Sequence, residues 1–178
     1  MTSASEDQQT GTAPRPVVLG ERPLTVEEVV QVARRRASVE IAEAARERMV
    51  AGRAAVDSLA SGQTPAYGVS TGFGALADRK IDVDSRERLQ ASLVRSHAAG
   101  TGAEVEEETT RALMLLRLQT LTTGRTGVRP EVAERYALLL NEGLTPVVLE
   151  NGSLGCSGDL APLAHCALAV IGEGEVRD

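Results

Sequence analysis

The 178-residue chain has no tryptophan, one phenylalanine and two tyrosines. With so little aromatic area, a core has to be built from aliphatic side chains, and the few rings present mark special positions. Two of the three, Tyr67 and Phe73, lie close together in one glycine-rich stretch. Cysteine is equally scarce. Cys156 and Cys166 are too few for a disulfide scaffold, and no paired-cysteine or Cys/His spacing points to zinc. Cys166, in an apolar run, reads as a buried thiol in a reducing compartment. An excess of positive charge is also missing: 19 Lys and Arg stand against 25 Asp and Glu, a net charge of −6. That balance argues against nucleic acid or an anionic membrane as a partner, since both need a basic footprint. The longest clean apolar run, Cys166 to Ile171, is far too short to cross a bilayer. The opening Met-Thr-Ser-Ala-Ser-Glu-Asp lacks the basic start and apolar run of a secretion signal. A soluble, cytoplasmic chain is expected.

Apolar residues make up 42% of the chain, enough for a core, and their spacing is mostly helical. Residues 1 to 15 are polar and read as a flexible tail, leaving 16–178 as the folded unit. Pro16 to Gly20 suits a short strand. Thr25-Val-Glu-Glu28 has capping-box spacing, with Leu24 and Val29 placed for a hydrophobic staple, and predicts a helix to about Arg36. Val39 and Ile41 alternate with polar residues, as in a brief extended piece. Further helices are predicted from about Glu43 to Ala60, from a second capping box at Asp84–Glu87 to about Ala99, and from about Glu104 to Thr123. Pro130 fits the first turn of another, stopped by Gly143, and the last runs from about Leu160 to Ile171. The fold class is mainly α, with two to four short strands. The last helix is apolar almost all round, so it is expected to be buried inside a larger core, against a partner or within a longer chain of which this is the N-terminal portion.

Chemistry concentrates in Gly152-Ser-Leu-Gly-Cys-Ser-Gly-Asp-Leu-Ala-Pro-Leu163. Such a loop can simply cap the following helix through Ser157 or Asp159. It can also form an anion nest, although it lacks the Lys-Ser/Thr ending of a phosphate loop. A third reading takes Cys156-Ser157-Gly158 as a tripeptide that reacts with itself. In a tightly bent backbone the Gly158 amide nitrogen can attack the carbonyl of Cys156 and expel one water. Glycine removes the side-chain obstacle to that approach. Loss of a second water from Ser157 leaves an exocyclic methylidene carbon, a strong electrophile. Cys156 contributes only its backbone. A cysteine hydrolase using Cys156 with a histidine is a further alternative, tested by Cys156→Ala.

The stretch Gly-Ser-Leu-Gly-Cys-Ser-Gly-Asp-Leu-Ala-Pro-Leu-Ala-His closely resembles the signature of the aromatic amino acid ammonia-lyases. Three other segments share the resemblance in order: Tyr67 to Gly74, Leu93 to Gly102, and Arg111 to Arg129. Two positions depart from the pattern, Gln119 where the family often has Asn and Leu149 near a common Pro; both look structural. The resemblance implies the helical ammonia-lyase (fumarase/aspartase-like) fold, of which this chain would be the N-terminal part, with the central and C-terminal helical parts absent. It implies a self-made prosthetic group, 4-methylideneimidazol-5-one (MIO), from Cys156, Ser157 and Gly158, and no external cofactor or metal. Tyr67 would be the lid-loop base taking the substrate's β-proton, a role that needs positive potential to stabilise the phenolate. Gly68, Gly72 and Gly74 would let that loop move as a lid.

Ser96-His97 resembles the members acting on histidine, because one imidazole can exchange hydrogen bonds with another. His97 would then bind the substrate side chain. Taken on its own, His97 on a face with Leu89 and Leu93 more often means a satisfied core histidine, and His165 keeps that reading. The resemblance therefore implies non-oxidative elimination of ammonia from L-histidine to give trans-urocanate, as part of histidine breakdown, by a homotetramer whose sites draw on several subunits. A phenylalanine or tyrosine lyase or aminomutase is the sister reading. The rival from another class is a chain that is catalytically inert on its own.

Overall fold

The Thr25 hydroxyl accepts the Glu28 N–H at 3.2 Å, and the Glu28 carboxylate accepts the Thr25 N–H at 2.9 Å, closing the expected capping box. In the computed structural model, which describes residues 15–154 and 158–178, this box starts helix α1 (Val26–Arg35). The helix links strands β1 (Val17–Leu19) and β2 (Val39–Ile41), which pair in parallel with Val17 opposite Val39 and Leu19 opposite Ile41. Helix α2 (Glu43–Ser61) follows, then a long loop, then α3 (Val83–His97). Strand β3 (Thr101–Glu104) leads into α4 (Glu107–Leu121), and α5 (Pro130–Asn141) begins with proline in its first turn as expected. The chain ends with β4 (Thr145–Pro146), β5 (Leu149–Asn151), α6 (Leu160–Val170) and β6 (Val176–Arg177).

The core is aliphatic and centres on α4, whose Met114, Leu115, Leu118 and Leu121 are buried with Leu19, Val32, Met49 and Leu140. Helix α4 packs on α1 and α5, while α6 packs on α3 and α5. Arg111 lies fully inside this core. Its Nε and Nη2 donate to the Val32 carbonyl at 3.3 and 3.2 Å, and Nη2 also donates to the Leu140 carbonyl at 3.2 Å. The guanidinium thus satisfies carbonyls near the C-terminal ends of α1 and α5, where helix polarity favours a cation. Gln119 is structural as well: it accepts the Gly20 N–H and donates to the Arg22 carbonyl.

Three expectations need correction. The described residues hold six short strands in three two-stranded pairs rather than two to four. Strand β3, Thr-Gly-Ala-Glu, is exposed throughout and carries no apolar alternation, so only its partner β5 makes it a strand. For the same reason α4 starts at Glu107 rather than Glu104. The second capping box is absent: Asp82 is the N-cap of α3, without a side-chain cap bond, and Asp84 and Glu87 lie inside the helix. The N–H of Ile81 is fixed to the Ser70 carbonyl, so the chain is free to turn into a helix directly afterwards. The last helix, whose cover was expected from a partner or from the rest of a longer chain, has Ala164, Cys166 and Val170 buried and Leu160 exposed within this chain. Residues 1–14 of the expected tail lie outside the described residues.

Candidate active site

The loop between α2 and α3 is built around two buried hydroxyl residues. Ser70 Oγ accepts the Ala66 N–H at 2.9 Å, Thr71 Oγ1 accepts the Gly68 N–H at 3.2 Å, and Gly72 N–H reaches the Arg79 carbonyl at 3.0 Å. Gly68 has φ +69°, and a Cβ there would meet the Phe73 ring at 2.8 Å. Glycine is therefore required both by the turn and by the ring that closes over it. Those bonds hold up a tip on which Tyr67 stands 65% exposed. The Tyr67 and Phe73 rings meet edge to face at 5.8 Å, and the Tyr67 hydroxyl accepts the Gly74 N–H at 3.2 Å.

His97 is the last residue of α3. Its Nδ1 lies 2.9 Å from the Leu93 carbonyl and 3.0 Å from Ser96 Oγ, which itself donates to the same carbonyl at 2.9 Å. A carbonyl only accepts, so Nδ1 carries the proton and Nε2 of the neutral ring keeps its lone pair.

The chain turns back at Gly158 (φ +104°) and Asp159 (φ +42°), two successive left-handed residues before α6. Asp159 is a non-glycine residue in that region, and its carboxylate accepts a hydrogen bond from Ser153 Oγ instead of capping the helix. The first N–H groups of α6 are left without a side-chain cap, which leaves positive potential at its N-terminus.

Tyr67, His97 and Gly158 all line one cavity of about 620 Å³ between the loop and helices α3, α4, α5 and α6. The N-terminal residue of α6, Leu160, lines it too. Three of the five residues singled out from the sequence are thus brought together from positions far apart in the chain. Cys156 and Ser157 lie outside the described residues. A second cleft of about 400 Å³ shares Arg117, Gly158 and Leu163 with the cavity and adds Ser153 and Asp159. His165 is placed elsewhere: its Nε2 accepts the Gly100 N–H at 3.1 Å, and burial lowers its pKa. Cys166 is the expected buried thiol, pushed up to about 12 by desolvation and so no nucleophile. Arg117 and Tyr136 also line the cavity and went unnoticed in the sequence. Each sits on a regular amphipathic helix, and only the rarity of tyrosine could have drawn attention to Tyr136.

The sequence profile of the family described as aromatic amino acid lyase matches residues 24–178. The chain belongs to the aromatic amino acid lyase family. It is 60% identical over 161 residues to a histidine ammonia-lyase of Streptomyces griseus, covering 90% of this chain and 31% of that protein. Among solved structures it resembles tyrosine aminomutase from Streptomyces globisporus with a TM-score of 0.85 and 43% identity, covering 92% of this chain and 31% of the other. Histidine ammonia-lyase from Trypanosoma cruzi gives a TM-score of 0.81 at 33% identity, covering 90% and 31%. The chain therefore spans about three-tenths of the length of these lyase relatives. At Gly158 the backbone bends in the region open to glycine, and a Cβ there would meet only Leu160, at 3.4 Å. Among the described residues no group of three His, Cys, Asp or Glu side chains could hold a metal ion, and no helix is long and apolar enough to cross a membrane.

Proposed function

We propose that this chain supplies the reacting loop, the lid tyrosine and one wall of the substrate pocket of a histidine ammonia-lyase, which converts L-histidine to trans-urocanate and ammonia. The observation that carries the reading is the common cavity of Tyr67, His97 and Gly158. MIO, made from Cys156, Ser157 and Gly158, supplies an electrophile that turns the substrate amine into a leaving group.

Everything else falls to side chains and helix ends. Tyr67 takes the β-proton at its phenolic oxygen. The N-terminus of α6, on the same cavity, favours the phenolate electrostatically. The Gly74 N–H stabilises the same oxygen by donating to it. His97 accepts the N–H of the substrate imidazole at Nε2, its tautomer fixed by the Leu93 carbonyl. A cytoplasmic homotetramer acting in histidine breakdown completes the proposal.

The test uses a chimera in which this chain replaces the matched segment of the Streptomyces griseus relative. Mass analysis of the peptide holding Cys156 to Gly158 is expected to show the loss of two waters, with urocanate formed from histidine. Ser157→Ala should keep the mass of that peptide free of dehydration and abolish turnover. Full deamination by that variant would overturn the reading. Tyrosine and phenylalanine are assayed in parallel, and preferential turnover of either would move the proposal to a sister activity.

A further inference from the structure

Two backbone segments meet on one face of α6. The turn after α3 brings Gly100 up to the helix, where its N–H donates to His165 Nε2 at 3.1 Å. Antiparallel pairing of Thr101 with Asn151 carries the register on to Gly100 opposite Gly152. A Cβ on Gly152 would lie 2.9 Å from the Ala161 Cβ and 3.3 Å from the Gly100 Cα. One on Gly100 would lie 2.8 Å from His165 Nε2 and 3.2 Å from the Leu149 Cβ. Ala161 and His165 are four residues apart in α6 and so share a face. That face holds Gly152 by close approach and Gly100 by a hydrogen bond. His97 stands three residues before Gly100 and Gly158 two residues before the start of α6, and both line the cavity, which His165 does not.

We propose that His165 is a positioning residue: through its bond to Gly100 it fixes the end of α3 that carries His97 against the first turns of α6, next to Gly158. The inference rests on the proposed lyase chemistry and adds a residue that acts on it from outside the cavity. Contact among glycines and alanine has no preferred direction, so packing alone lets the turn slide along α6. A hydrogen bond weakens steeply off line and sets one register. The accepting nitrogen requires a neutral ring, the form that burial of His165 favours. Precision matters here because a misplacement of about 1 Å by a change far from the chemistry can cost about 100-fold in rate.

In the chimera, His165→Phe keeps a ring and removes the acceptor, whereas His165→Gln keeps an accepting oxygen. His165→Phe is expected to lower kcat/KM for histidine by about 10- to 100-fold, and His165→Gln should recover most of that loss. Gly100→Ala, whose Cβ would press on Nε2 from the other side, should reproduce it. The double variant should lose no more than the larger single change, since both break one contact. A merely structural role would lower the urea midpoint of His165→Phe but leave kcat/KM per folded molecule at the parent value. That result in the variants of an active parent overturns this inference alone, as does an equal loss in His165→Phe and His165→Gln. A parent chimera that forms no urocanate overturns the proposed function itself. Gly100 lies outside the left-handed region, so its backbone accepts alanine, and Gly100→Ala reports even where His165→Phe does not fold.

Discussion

The two histidines of the chain show how one residue type is set to opposite tasks by a single hydrogen bond. His97 gives its Nδ1 proton to the Leu93 carbonyl and keeps Nε2 for the cavity. His165 spends Nε2 on the Gly100 N–H, tying α6 to the turn that follows α3. Protonating that nitrogen would set two donors against each other. The folded pKa of His165 accordingly lies below its ordinary 6.5, because burial disfavours the charged ring. Between the lowered value and 6.5 the unfolded chain binds more protons than the folded one. Stability is thus complete above pH 6.5 and falls as the pH drops through that window. Urea midpoints measured from pH 8 to 5 should show this decline, and His165→Gln, whose amide oxygen can still accept from Gly100, should flatten it. An equal slope in both proteins would show that His165 is not the titrating group.

At the scale of elements, α2 passes close against the turn after α4. A Cβ on Gly52 would collide with the Gly124 carbonyl, and one on Gly124 would meet the Arg48 carbonyl at 2.5 Å. Both obstacles are backbone and cannot rotate away. Alanine is a better helix former than glycine by about 1 kcal/mol, but overpacking costs about 1–3 kcal/mol, and the rigid neighbour puts Gly52→Ala at the upper end. A net loss of about 1–2 kcal/mol is expected, read as a lower urea midpoint; a gain would mean that the turn yields easily. Gly124 can be read from the sequence as a helix end, but Gly52 cannot, because a close approach between distant segments leaves no local pattern. What is legible is what the chain encodes over a few residues. The Thr25–Glu28 box, proline at the start of α5 and the apolar stripes give the helices to within a few positions. Asp84–Glu87 shows the limit: its spacing is right, but Ile81 is already pinned to the Ser70 carbonyl and the cap moves to Asp82. The short strands divide the same way: β1 and β2 show in the apolar alternation of their residues, whereas β3 is exposed throughout and is made a strand only by pairing with β5.

Across the whole molecule the candidate site is a product of convergence. The loop motif around Gly158 and the tyrosine of the glycine-rich stretch stand out in the sequence, whereas Arg117 and Tyr136 become visible only when α4 and α5 close against α3 and α6. The same view shows how open the site is in this chain. Tyr67 is largely in solvent, and Leu154 and Leu160, on either side of Gly158, are both exposed. Proton abstraction by a phenolate and departure of ammonia need a site from which bulk water is kept out, because surrounding water weakens each electrostatic contact. The chain spans about three-tenths of its lyase relatives, so the cover is proposed to come from the remaining length and from neighbouring subunits. Purified alone, the chain should form no urocanate, while the chimera should. Nitration by tetranitromethane provides the structural control: in the chain alone Tyr67 should react and the buried Tyr136 should resist, and in the chimera Tyr67 should become protected. Turnover by the isolated chain, with Tyr67 still open to nitration, would show that α3 to α6 and the lid loop already exclude enough water for the chemistry.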